Sequence, residues 1–172
     1  MESCIFTTIM ENKSNIAARL TEVFLSGKWV ANTNYKELLE CISYEQAVHK
    51  VKDLNSISLL VFHINYYLKG LNQVFEGGLL IISDQYSFDL TPLQSSSDWQ
   101  ALIEELLFNA KKFIQHVEKL SDSELDLPFI EPKYGSFRRN IEGVIEHSYY
   151  HLGQISLLKK LAITHCSTED KS

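Results

Sequence analysis

Cysteine and positive charge are both scarce in this chain of 172 residues. The three cysteines, Cys4, Cys41 and Cys166, are too few and too scattered for a disulfide framework or a Cys-x-x-Cys metal motif. Their scarcity indicates a reducing compartment, so we expect a cytoplasmic protein. Lysine and arginine number 16 against 22 acidic residues, and the formal net charge of −6 argues against a nucleic-acid partner.

Long hydrophobic runs are missing as well. Polar residues interrupt every apolar stretch well before it reaches the length of a membrane span. The N-terminal apolar run is too short for a signal peptide, and Glu2 stands where such a peptide would be basic. We therefore expect a soluble, intracellular protein with no membrane partner.

Proline is rare too, and its absence leaves long stretches free to form helices. Pro92, Pro128 and Pro132 all fall outside the segments in which apolar residues recur at helical spacing. That spacing predicts four long amphipathic helices, at about 13–25, 57–76, 98–120 and 137–162.

Capping signals and connection lengths complete the predicted architecture. Asn55 or Ser56 is a good cap for the second long helix, and Ser97 with Gln100 is a capping box for the third. Ser43 with Gln46 predicts a short extra helix in the same way. Long crossover loops are expected at 79–96 and 121–135. We predict an all-α four-helix bundle with short extra helices, a single domain over 1–165, and a polar, disordered tail at 166–172.

Two histidines on the last long helix stand out as candidate metal ligands. His147 and His151 are four residues apart, so their side chains lie one above the other on the same helix face. Two neutral imidazoles in that arrangement can share one divalent ion. His63 lies on the inward stripe of the second long helix and could provide a third ligand from the facing helix. The residues alone leave open whether these are ligands or hydrogen-bonded core histidines.

Other histidines and other metal motifs match less well. His49 and His116 have no partner at helical spacing, and His165 falls in the predicted tail. A ferritin-like di-iron site needs Glu-x-x-His pairs, which are absent here. A zinc protease of the His-Glu-x-x-His type needs a glutamate directly after the first histidine, and Ser148 occupies that position.

The context of these histidines resembles the DinB-like superfamily, which includes bacillithiol transferases and mycothiol-dependent isomerases. The similarity rests on His63 in the string Leu-Val-Phe-His-Ile-Asn-Tyr-Tyr and on the later string Glu-His-Ser-Tyr-Tyr-His-Leu-Gly-Gln-Ile at 146–155. It covers about residues 12–163. The resemblance implies a four-helix bundle, commonly a homodimer, with zinc or nickel bound by His63, His147 and His151.

Several neighbouring residues are candidates for a supporting role around the metal. Gln154 and Asn140 share the face of the two helical histidines, although packing or capping would explain them equally well. Tyr66 and Tyr67 follow His63 by three and four positions and could hydrogen-bond a ligand. Gly143 removes a side chain where a substrate could sit. Arg138 and Arg139 could contact an acidic thiol cofactor, but such charges are usually solvated.

Three functions are compatible with such a site. A divalent ion held by three imidazoles lowers the pKa of bound water to about 7 or deprotonates a thiol. The resemblance implies transfer of a low-molecular-weight thiol to an electrophile, with no protein nucleophile. A metal-dependent hydrolase and a non-catalytic metal- or ligand-binding protein are the alternatives.

Overall fold

Four long helices dominate the computed structural model, which describes the backbone of residues 13–169 and the side chains of 15–162. A π-helical turn, Glu22–Ser26, continues the first helix, and 3-10 turns occur at Asp84–Tyr86 and Pro132–Tyr134. No β-strand forms within that part of the chain. The α-helices, in chain order, are α1 Lys13–Thr21, α2 Tyr35–Glu40, α3 Tyr44–Val48, α4 Ile57–Phe75, α5 Ser96–Lys119, α6 Asp122–Leu125 and α7 Phe137–Glu169.

The long helices pack as a four-helix bundle around one apolar core, as predicted. α4 and α5 form the most extensive pair, α1 packs on α5 and α7, and α7 packs on α4. Each long helix contributes a fully buried apolar stripe to this core, including Leu20, Leu68, Leu106 and Ile155. The short α2 and α3 cover one end, where the Tyr35 hydroxyl donates to the Ser148 carbonyl of α7 at 2.9 Å.

Buried amides join α4 to α5 within that core. The Asn109 side chain donates to the Asn65 side chain at 2.8 Å, and the Asn72 side chain donates to the Asn109 carbonyl at 3.0 Å. All three residues are buried. Because an unpaired buried amide is costly, these bonds favour one register of α4 against α5. They thereby fix the position of His63, two residues before Asn65.

Most helix starts agree with the predicted caps. The Ser43 and Gln46 capping box forms, and the Ser56 hydroxyl accepts the Leu59 amide at the start of α4. The predicted cap of α5 at Ser97 is wrong, because Ser95 caps the helix two residues earlier. Asp98 explains the difference, since its amide donates to Ser95 while its carboxylate accepts the Gln94 amide at 2.8 Å.

The last helix is longer than its predicted end at 162. Its backbone is helical as far as Glu169, and no glycine or proline intervenes to stop it. Side chains beyond 162, His165 among them, and residues 170–172 lie outside the described part. The disordered tail at 166–172 stays a prediction. None of the helices in the described part combines the length and apolar content needed to cross a membrane.

The first crossover loop lies in a notch on α4. Residues 79–82, in the predicted first crossover loop, form neither helix nor strand. A Cβ added at the buried Gly70 would lie 2.4 Å from Cγ1 of Ile82, so only a glycine lets the loop approach this closely. Four residues before Gly70 on α4, the Tyr66 hydroxyl donates to the Ser83 carbonyl at 3.2 Å and accepts the Ser83 amide at 3.0 Å. The loop is thus held against α4 in the notch at Gly70 and one turn before it, at Tyr66.

Because Ile82 fills the space beside Gly70, adding even one methyl group there should destabilise the protein. We expect Gly70→Ala to lower the free energy of unfolding by about 1–3 kcal/mol, because Ile82 and its loop must move. Urea unfolding of the metal-free protein, followed by circular dichroism, measures this change.

The matched control is the same substitution in open space on α7. Nothing lies within 4 Å of a Cβ added at Gly153, which is exposed and helical. Gly153→Ala should raise the free energy of unfolding by about 0.5–1 kcal/mol through helix propensity alone. Equal effects of the two substitutions would show that Ile82 does not need the notch.

Candidate metal centre

Three imidazoles converge at the middle of the bundle. The Nε2 atom of His147 lies 3.2 Å from Nε2 of His63 and 2.9 Å from Nε2 of His151. The ligand atoms of the three residues all lie within 4.8 Å of one another. The predicted grouping of His63 with the α7 pair is therefore present, and the three residues could hold a metal.

Helix geometry accounts for this convergence. One turn of α7 separates His147 from His151, and their rings lie edge to face with centroids 4.5 Å apart. α4 packs against α7 and brings His63 to the same point, 5.0 Å from the His147 ring and 4.8 Å from the His151 ring. His63 and His151 are buried, while His147 is half-buried beside a cavity. Buried polar rings in such a place need partners.

Hydrogen bonds at the outer nitrogens set the tautomers of two rings. Nδ1 of His63 lies 3.3 Å from the Ser87 carbonyl, and Nδ1 of His151 lies 2.6 Å from Oε1 of Gln154. Both oxygens only accept, so each Nδ1 carries the hydrogen and each Nε2 has a free lone pair. Those lone pairs point at the same small volume as Nε2 of His147. Without a cation, the one hydrogen that Nε2 of His147 can carry is shared between these two nitrogens, whereas a cation can bind all three.

The electrostatics keep all three rings neutral. Burial, followed by the neighbouring imidazoles, lowers the pKa of His147 to about 4. Burial is also the largest cause lowering the pKa of His63, and it lowers the pKa of His151. A metal ligand must be the neutral form of histidine, because the imidazolium has no free lone pair. The site is therefore prepared for a cation at neutral pH.

The nitrogen separations agree with the size of a first-row divalent ion. At metal–nitrogen distances of about 2.0–2.1 Å, ligand nitrogens lie about 3.3–3.4 Å apart in tetrahedral geometry and about 2.9 Å apart at right angles. The two short separations at His147, 3.2 and 2.9 Å, lie at these values. Three protein ligands also leave at least one position for a small molecule.

A cavity of about 470 Å³ opens beside His147. Its walls come from α4, α7 and both crossover loops. Gly143 faces it, and a Cβ there would meet nothing within 4 Å, in agreement with the room predicted at this position. The apolar part of the lining consists of Leu71, Leu80, Ile82, Phe129 and Val144, and the polar part of Tyr67, Asp84, Tyr134, Asn140 and His147. Such a mixture is typical of small-molecule sites.

Tyr67 connects this cavity to the first crossover loop. Its ring lies edge-on to His63 and His147, with centroids 5.0 and 5.5 Å away. Its hydroxyl donates to Oδ1 of Asp84 at 2.6 Å. Burial, and then the bond to Asp84, raise the pKa of Tyr67 to about 12, so the phenol keeps its proton at neutral pH. On the other side, Phe88 stacks on His63 with ring centroids 4.1 Å apart.

Among the predicted supporting residues, Gln154 and Tyr67 contact candidate ligands, whereas Asn140 and Tyr66 do not. Asn140 lines the cavity, but its amide donates to the carbonyls of Tyr134 and Ser136 and so ties the second crossover loop to the start of α7. Tyr66 binds Ser83 rather than pointing at the three imidazoles.

The two arginines are paired with carboxylates. Arg138 binds Asp126 through two nitrogens, at 2.8 and 3.3 Å, and Arg139 binds Glu146 at 3.0 Å. Neither arginine is among the residues that line the cavity beside His147. The usual behaviour of such charges, pairing or solvation at the surface, therefore describes them better than contact with an acidic cofactor.

Sequence reasoning missed Asp84, Ser87 and Phe88. All three come from the first crossover loop, which carries no helical period to show which side chains point inward. The only available signal was the length of that loop, because long connections in small domains are often functional. His116, by contrast, lies away from the site, stacked on Phe75 with centroids 5.4 Å apart.

The comparison with protein families agrees with this site. The sequence model of the DinB superfamily matches residues 30–155, which include all three histidines. The chain belongs to the DinB superfamily. Neither the curated proteins nor the solved structures include a significant match to it. Family membership and the three grouped histidines are compatible with a metal-dependent function.

Substitution of the candidate ligands tests whether this DinB protein binds a metal. Wild-type protein purified without chelators and then offered zinc or nickel should bind about one equivalent, measured by elemental analysis after desalting. His63→Ala, His147→Ala and His151→Ala should each lose most of it, because two imidazoles hold an ion weakly. His116→Ala is the matched control and should bind as wild type. Equal metal content in all five proteins would exclude the site.

Gln154 gives a finer prediction, since it orients His151. Gln154→Ala removes the acceptor of the His151 Nδ1 proton and should weaken metal affinity by about 10–100-fold. Gln154→Glu keeps an acceptor at the same place and should bind at least as well as wild type. Competition with a chromogenic chelator measures both. Similar losses in the two variants would mean that Gln154 acts by packing instead.

Proposed function

We propose that this DinB-superfamily protein is a metal-dependent enzyme that transfers a low-molecular-weight thiol to a small electrophile. The observation that supports it is the convergence of the Nε2 atoms of three neutral imidazoles beside a cavity with apolar and polar walls. A zinc or nickel ion held there supplies positive charge that lowers the pKa of a thiol or water reaching it.

The lining of the cavity favours a nucleophile brought by the substrate. Among the described residues that line it there is no serine, threonine, cysteine or lysine. In the proposed reaction the thiol loses its proton to solvent and its sulfur bonds to the electrophilic carbon. The bond to the leaving group breaks, and that group departs with both electrons. The protein needs no covalent intermediate for this sequence.

The protein's own residues contribute position and environment. His63, His147 and His151 would hold the reacting centre on two rigid helices, which positions it more precisely than loops would. The apolar wall of Leu71 and Val144 can receive the body of the electrophile and exclude water. Keeping water away favours attack by sulfur over hydrolysis of the electrophile.

An assay with a generic electrophile tests the proposal. The zinc- or nickel-loaded protein is mixed with 1-chloro-2,4-dinitrobenzene and, in turn, 2-mercaptoethanol, cysteine, cysteamine or glutathione, and thioether formation is followed by absorbance. We expect a rate that needs both metal and thiol, and that falls at least about tenfold in His147→Ala but not in His116→Ala.

The alternatives give different results in the same series. Metal-dependent release of nitrophenol from p-nitrophenyl acetate without any thiol would favour a hydrolase. Metal binding with no turnover of either electrophile would favour a non-catalytic binding protein.

A further inference from the structure

Asp84 is the one aspartate, glutamate, lysine or arginine among the described residues that line the cavity beside His147. The basic residues near the cavity along the chain are paired with carboxylates. Lys133 Nζ lies over the ring of the lining residue Tyr134, 4.8 Å from its centroid, and Lys69 pairs with Glu105 at 3.1 Å. Lys133 pairs with Glu131 at 2.9 Å, and Arg138 and Arg139 are paired as described above. The cavity therefore combines apolar walls with one negative charge and no lysine or arginine.

The Asp84 carboxylate has a defined position rather than a free one. Oδ1 accepts the Tyr67 hydroxyl at 2.6 Å, and the Tyr67 ring touches His63 and His147 edge-on. One phenol ring thus separates this carboxylate from the three imidazoles. Asp84 itself is exposed, and a carboxylate has acceptor capacity beyond the single bond from Tyr67. A ligand in the cavity can use that capacity.

We infer that Asp84 makes this cavity selective for a ligand that carries a protonated amine, and selects against one that carries a carboxylate. The inference deepens the proposed function, because it names a substrate class for the same site. The ammonium group of the ligand donates to Asp84 while its apolar part packs on Leu71 and Val144. A carboxylate at that place would meet Asp84 with like charge and find no lysine or arginine among the lining residues.

The first test uses cobalt(II)-loaded protein and two thiols of similar size. Cysteamine ends in an ammonium group and 3-mercaptopropionate in a carboxylate. Sulfur-to-cobalt charge-transfer absorption gives the Kd of each. The two thiols differ in intrinsic acidity, so the informative quantity is how the ratio of their Kd values changes on substitution. That ratio should shift by about threefold to tenfold against cysteamine in Asp84→Asn, and further in Asp84→Lys.

Asp84→Asn removes the charge with little structural change, and Asp89→Asn is its matched control. The asparagine carbonyl can still accept the Tyr67 hydroxyl, so the loop keeps its attachment. Asp89→Asn removes the same charge from the same loop, at an exposed residue that does not line the cavity, and should leave the ratio unchanged. An unchanged ratio in Asp84→Asn, or an equal change in Asp89→Asn, would overturn the inference.

A second test does not depend on metal or thiol. Benzylamine and benzoate are titrated into metal-free protein, and the shifts of the Gly143 and Val144 amides are followed by NMR. Benzylamine should bind at least about threefold more tightly than benzoate, and Asp84→Asn should remove the difference. Equal binding, or none by benzylamine, would overturn the inference. Loss of the cobalt–sulfur band with the benzylamine preference intact would instead overturn only the proposed thiol chemistry.

Discussion

The site depends on the close approach of three imidazole nitrogens, because the single hydrogen that Nε2 of His147 can carry does not satisfy both of its neighbours. His63 and His151 are committed to this arrangement, because Ser87 and Gln154 occupy their outer nitrogens. When no ion is bound, one of the two nitrogens that face His147 lacks a hydrogen-bond donor, and a bound cation would remove that cost. α4 packs on α7 around these three nitrogens, and the cavity opens beside His147.

α4 serves three purposes with three of its faces. Leu60, Ile64 and Leu68 bury one face in the core, and Asn65 and Asn72 bond to α5 on an adjacent face. The remaining face carries His63, Tyr66, Tyr67 and Gly70, and it holds both the candidate metal centre and the first crossover loop. Because the helix is rigid, these three sets of contacts cannot move independently, so core packing holds the site in place.

The sequence was sufficient where periodicity carried the information. The bundle and the grouping of His63 with His147 and His151 follow from apolar stripes at helical spacing. The cap of α4 was narrowed to Asn55 or Ser56 by residue type, and the structure uses Ser56. The features that the sequence did not predict have other physical causes. The start of α5 depends on a contest between Ser95 and Ser97 that Asp98 decides. Asp84 and Phe88 reach the site through an irregular loop, whose course follows from tertiary contacts and not from any repeat.

The bond between His63 and the Ser87 carbonyl has a consequence for the loop as well as for the ion. One outer nitrogen joins a surface segment to a candidate metal ligand, so the two are thermodynamically linked. Linkage is reciprocal. If the ordered loop strengthens metal binding, metal binding stabilises the ordered loop by the same free energy. The loop is already held by Tyr66 and by the notch at Gly70, and an ion bound by His63 would restrain it further. A substitution in this loop could therefore change metal affinity without touching a ligand.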